Sequence, residues 1–163
     1  MKADHFSADT RELLLLLAKY QVKYLIVGGE AVIYYGHARL TGDLDVFFQR
    51  SMENQQRLYE ALREFWAGDV PEIAGPDDLS PPGLVVQFGV PPNRIDLVNG
   101  IDGVDFEEAW LNRVSTPLTG AGQNILVEII GLRELIRNKQ AVRRPRDQDD
   151  LAFLLQVEYP ERS

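Results

Sequence analysis

The sequence predicts an α/β (α+β) fold, a mixed sheet with helices packed mainly on one side. Three observations lead there. Short apolar runs alternate with longer segments of helical periodicity. A glycine pair, Gly28-Gly29, ends the first of those runs and opens a helix. Two later runs are joined by Gly89-Val-Pro-Pro-Asn93, a proline-bearing connection that suits neighbouring antiparallel strands. Strand order does not follow from these signals.

Each element has a local reason. Asp9-Thr-Arg-Glu12 has capping-box spacing and opens a leucine-rich helix running to about Tyr20, with His5 in an end expected to fray. Tyr24 to Val27 reads as a buried strand, and Glu30 to about Tyr35 as a short helix stopped near Gly36. Arg39-Leu-Thr-Gly42 turns the chain into a strand from Asp43 to Phe48. Met52 to Trp66 is helical, with Leu58, Leu62, Phe65 and Trp66 on one side. Pro71 to Pro82 is a loop or lid. Leu84 to Phe88, Arg94 to Val98 and Asn124 to Ile129 are strands, and Phe106 to Leu111 is a short helical turn. Gly131 to Arg143 and, after Pro145, Arg146 to Val157 are the closing helices. The chain shows no repeat or linker, so its 163 residues read as one domain with those two helices packed on it.

Composition narrows the function. A hydrophobic fraction of 45% supports an ordinary core. The run Leu13 to Leu17 is far too short to cross a bilayer, and nothing resembles a secretion signal. With no cysteine there is no disulfide, thiolate zinc site or cysteine nucleophile, which fits a cytoplasmic protein with no membrane association. A formal charge of −8 argues against broad, non-specific nucleic-acid binding. Lys139, Arg143, Arg144 and Arg146 nevertheless form one basic patch, which suits an anionic ligand of limited size.

The chemistry concentrates in Thr41-Gly-Asp-Leu-Asp-Val-Phe-Phe48. Asp43 and Asp45 lie two apart on a strand, so both point to one face, with attachment points about 6.6–6.8 Å apart. Two acids that close on an otherwise apolar strand repel each other unless a cation lies between them. Asp96 interrupts a second apolar strand, Arg94-Ile-Asp-Leu-Val98. If the two strands are neighbours, three carboxylates converge on a two-metal site, with ions about 3.5–4 Å apart that hold a triphosphate and activate an attacking oxygen. Mg²⁺ is the expected ion, with Mn²⁺ as its substitute, because hard oxygen donors suit it. Gly28-Gly29 ahead of this pair lets backbone approach phosphate at a helix start.

In this order of strand, Gly-Gly, helix, Asp-x-Asp strand and later Asp strand, the chain resembles the nucleotidyltransferase superfamily that includes DNA polymerase β. The likeness covers roughly residues 20 to 155 and is greatest to AbiEii-like toxin nucleotidyltransferases and relatives of the lincosamide-modifying enzymes. It implies transfer of a nucleoside monophosphate from an NTP, ATP included, to a hydroxyl acceptor: tRNA, a protein or a small molecule. It also implies that Asp43 and Asp45 bind both metals and Asp96 helps deprotonate the acceptor, with Gly28 and Gly29 as the phosphate turn. The toxin-like relatives carry a lysine resembling Lys139, and an antitoxin partner would follow from that branch. Where many members have serine after the first glycine, this chain has Gly29, and no separate substrate-binding domain is visible.

Other residues have two readings. Lys139 either snorkels to water or binds triphosphate, and Arg39 and Thr41 either form a turn or touch the nucleotide. Asp147 and Asp150 suit capping or pairing with Lys139 or Arg143, and Arg143, Arg144 and Arg146 suit a solvated face or partner surface ahead of nucleotide contact. His37 suits a helix end, Trp66 and Trp110 the core, and Glu107-Glu108 a solvated face. Two rival functions remain: a catalytically silent nucleotide-binding or partner subunit of the same fold, and a two-metal nuclease.

Overall fold

The computed structural model describes residues 1–41 and 43–158, and Gly42, the last residue of the turn expected before the second strand, lies outside them. Among the described residues six strands form one mixed sheet: β1 (Tyr24–Val27), β2 (Asp43–Phe48), β3 (Val85–Phe88), β4 (Arg94–Val98), β5 (Val114–Pro117) and β6 (Leu126–Ile129). Their order is β3-β4-β2-β1-β6-β5, with β2–β4 and β1–β6 parallel and the other pairs antiparallel. Helices α1 (Ala8–Lys19), α2 (Gly28–Tyr34), α3 (Met52–Phe65), α4 (Phe106–Leu111), α5 (Leu132–Val142) and α6 (Pro145–Glu158) complete an α+β fold. Among the described residues no helix is long and apolar enough to cross a membrane.

The period of two sorts the faces of the sheet. Tyr24, Ile26, Leu44, Val46, Phe48, Ile95 and Leu97 share one face through the β1–β2 and β2–β4 registers, and all are buried. On β3, Val86 and Phe88 join that face while Val85 and Gln87 turn outward and are exposed. Trp66, at the end of α3, packs against Phe88 with ring centroids 5.4 Å apart. Leu13, Leu14 and Leu17 of α1 and Leu58 and Leu62 of α3 are fully buried where these two helices meet. The other face carries Asp43, Asp45 and Phe47. Phe106 of α4 covers Phe47 edge-on at 5.0 Å and leaves the acids open.

Local differences from the expected elements have clear causes. Ser7, not Asp9, caps α1, its hydroxyl accepting from the Thr10 N–H at 3.2 Å. Asp9 falls in the first turn, where a carboxylate complements the helix dipole. The N-terminal segment does not fray: the Ala3 N–H donates to the Thr119 carbonyl at 2.7 Å, and His5 Nε2 lies 2.7 Å from Glu30 Oε2. The strand Val114–Pro117 was not expected, because Val-Ser-Thr-Pro lies at the sheet edge, half-buried on one side and exposed on the other. Such an edge tolerates proline and needs no apolar run.

One polar side chain on α3 fixes where the two central strands begin and end. Buried Asn54 accepts from the Lys23 N–H at 2.7 Å and donates to the Lys23 and Gln49 carbonyls at 3.0 and 2.8 Å. Asn54→Ala strips partners from the Lys23 N–H and the Gln49 carbonyl. It should lower the unfolding free energy by roughly 2–3 kcal/mol. Urea denaturation with an unchanged slope is the measurement, and a loss within error would show that water replaces the amide.

Candidate active site

The parallel pairing of β2 with β4 gathers the acids. Asp45 lies opposite Asp96, and Asp43 opposite Arg94. Adjacent strands are about 4.7–4.9 Å apart, so the carboxylates of Asp43, Asp45 and Asp96 share one patch of the sheet. All three line a cavity of about 320 Å³. Arg39, Thr41, Gly28 and Gly29 line it from the β1 side, and Lys139, Arg144 and Arg146 from α5 and α6.

The acids are under-neutralised. Burial, then the charges of Asp96 and Asp43, push the Asp45 carboxyl up to about 7, with Arg94 opposing weakly. Arg94 Nη2 donates to Asp43 Oδ2 at 2.6 Å and to Asp96 Oδ2 at 3.3 Å, and Nε lies 3.2 Å from Asp96 Oδ1. That last approach is poorly aligned. Asp96 Oδ1 and Asp43 Oδ1 are both buried without a hydrogen bond. Hard carboxylate oxygens, two of them orphaned, make a donor set suited to Mg²⁺ or Mn²⁺. Among the described residues no three acidic or histidine side chains stand in ready-made coordination geometry, and the Arg94 guanidinium spans the two outer acids.

Gly28 and Gly29 serve the acids as well as the cavity. Gly28 follows Val27, the residue paired with Asp45, and has φ of +65°. A Cβ at Gly28 would lie 2.1 Å from Asp45 Oδ2, and one at Gly29 would lie 2.6 Å from Thr41 Oγ1. Neither position accepts a side chain while its neighbour stays in place. A serine at position 29, common in the resembled family, has no room for its Cβ beside Thr41. The bareness expected to admit phosphate therefore also seats Asp45 and Thr41.

The basic wall has a buried network behind an exposed face, on which Arg143, Arg144 and Arg146 lie. Lys139 does not snorkel: it is buried, with Nζ 2.8 Å from Asp147 Oδ1 and 3.1 Å from Asp150 Oδ2. Arg39 Nη2 donates to Asp150 Oδ2 at 3.1 Å, and Arg144 Nε to Asp147 Oδ2 at 2.7 Å. Burial alone would raise the Asp147 carboxyl, but its hydrogen bonds from Arg144 and Lys139 outweigh that and hold it down at about 2. Asp147 thus pairs with Lys139 and Arg144, not with Arg143, whose Nε donates to the Gln140 carbonyl at 3.2 Å. His37, which showed no acid partner in the sequence, lies 3.8 Å from Asp150 Oδ1 and stacks on Phe153 outside the cavity lining.

Compared with known proteins, the chain matches no family model and no curated protein. The resemblance drawn from its motifs therefore stands on those residues alone.

Sequence reasoning singled out Asp43, Asp45, Asp96, Gly28, Gly29, Arg39, Thr41 and Lys139, and all eight line one cavity. It passed over Arg94, while Arg144 and Arg146 border the cavity and are exposed, as a solvated face would be. The Arg94-x-Asp96 spacing carried the missing signal, because residues two apart on a strand share a face.

Asp45 yields a pH prediction. Its folded-state value lies above the ordinary carboxylate range, so its ionised form opposes folding above about pH 4, fully so beyond pH 7. In metal-free protein at pH 8, Asp45→Asn should raise the unfolding free energy by roughly 2–4 kcal/mol. The gain should fade as pH falls from 7 towards 4. Thermal melts across that range are the check, and a pH-independent gain or a loss at pH 8 would remove the repulsion argument.

Proposed function

We propose that the chain is a Mg²⁺-dependent nucleotidyltransferase that moves a nucleoside monophosphate from an NTP to a hydroxyl acceptor and releases pyrophosphate. The observation that best supports this is the registered Asp45–Asp96 pair, flanked by Asp43, facing a cavity with a basic far wall. Divalent ions held by these acids would neutralise triphosphate charge and activate the acceptor oxygen.

The chain's own residues supply the rest. Asp43, Asp45 and Asp96 would hold the ions, and the resemblance assigns to Asp96 the uptake of the acceptor's proton. Lys139, Arg39, Arg144 and Arg146 raise the potential that draws the triphosphate in, despite the overall charge of −8. Thr41, pressed against Gly29, offers a hydroxyl at the cavity rim. No covalent enzyme intermediate is required, because positioning and charge neutralisation carry phosphoryl-type transfer.

The finer proposal is a cytoplasmic toxin held by an antitoxin protein, with tRNA, a protein or a small molecule as acceptor. A silent nucleotide-binding subunit is the rival, and one observation favours it: Lys139 and Arg94 are already engaged by the chain's own carboxylates. Titration with NTP and Mg²⁺ separates the two, since binding without pyrophosphate release marks the silent subunit.

Incubation with each labelled NTP and cell extract should label an acceptor and release pyrophosphate. Asp43→Asn and Asp45→Asn should each cut that release on the order of 10²–10³-fold or more while circular dichroism stays unchanged. Turnover retained in either variant would contradict the assignment.

A further inference from the structure

One cation stands inside the acid cluster and has no part in the chemistry described so far. Arg94 opens β4 opposite Asp43, two residues before Asp96 on the same face. Its guanidinium touches both outer acids, at 2.6 Å from Asp43 Oδ2 and at 3.2 Å from Asp96 Oδ1. A divalent cation shared between those two carboxylates needs the same space. One monovalent group also serves three acids poorly, since it leaves Asp43 Oδ1 and Asp96 Oδ1 without hydrogen bonds. Electrostatically, one guanidinium is a weak neutraliser for three carboxylates.

Arg94 also has somewhere to go. A second cavity of about 260 Å³ adjoins the first, and Arg39, Thr41, Asp43 and Arg94 line both. Glu30, Leu40, Pro92 and Asn93 also line it, and Leu40 is almost fully exposed. The Arg94 side chain is about one-third exposed, at 31%, so it is not locked in by packing.

We propose that Arg94 is a placeholder cation. It neutralises Asp43 and Asp96 in the metal-free protein, competes with divalent ions for them, and on release turns its guanidinium to the phosphates. The inference rests on the nucleotidyltransferase reading of this site. It makes Arg94 a phosphate-binding residue that couples metal occupancy to nucleotide binding. A guanidinium suits both roles, because the same planar donor fork matches carboxylate and phosphate.

The test is Mn²⁺ binding by isothermal titration calorimetry to the wild-type chain, Arg94→Ala and Arg94→Lys, with and without a non-hydrolysable ATP analogue. Without nucleotide, Arg94→Ala should bind Mn²⁺ about tenfold more tightly than wild type, since a competing charge is gone. With Mn²⁺ saturating, the same variant should bind the analogue about tenfold more weakly. Arg94→Lys keeps the charge without the two-pronged reach, so it should fall between them on both counts and stand in for Arg94→Ala if that variant fails to fold.

A merely structural arginine would not tighten metal binding when removed. Unchanged or weaker Mn²⁺ affinity in both variants, with normal binding by wild type, overturns this inference and leaves the proposed function standing. Failure of the wild type to bind Mn²⁺ even with the analogue overturns both.

Discussion

The parallel register of β2 on β4 is the constraint on which the site depends. It sets Asp45 against Asp96, and a slip of one residue would send Asp96 to the opposite face. What prevents the slip is apolar. Leu44 and Val46 pair with Ile95 and Leu97 on the far side of the same strands, and all four are buried under the helices. The core therefore holds in place charges that would otherwise separate. Asn54 works to the same end, fixing the chain where β1 begins and β2 stops.

Around the acids the protein arranges charge in two layers. The inner layer is three carboxylates with one arginine, short of positive charge. The outer layer is Arg39, Lys139 and Arg144 held by Asp147 and Asp150, with positive charge in excess. Buried ion pairs of this kind add little net stability, because desolvation offsets their attraction. Their effect is on placement. Lys139 and Arg144 are fixed along the cavity wall by α6 rather than left to sweep through solvent. A net charge of −8 says nothing of this, since it averages over a surface where the opposite signs are sorted.

The central strands were legible because their residues are apolar on both faces, and Asp43 and Asp96 stood out against that background. Strand order was not, because the β2–β4 pairing depends on a long crossover through α3 and β3 whose path no local pattern records. The edge strand β5 was invisible for the opposite reason, having too little burial to leave an apolar signature. Gly28 and Gly29 were legible as a turn, but their tight fit against Asp45 and Thr41 is a tertiary fact. Lys139 offered snorkelling or ligand contact from its place on a helical stripe. The structure buries it between Asp147 and Asp150, partners brought round by the tight turn from Arg143 to Pro145.

The most direct measurement is anomalous diffraction from crystals grown with Mn²⁺ and a non-hydrolysable nucleoside triphosphate. If the three acids form a cation site, anomalous peaks will lie in direct contact with oxygens of Asp43, Asp45 and Asp96, with the triphosphate on the Lys139 side. Ordered nucleotide elsewhere, or nucleotide in this cavity with no peak at the carboxylates, would contradict it.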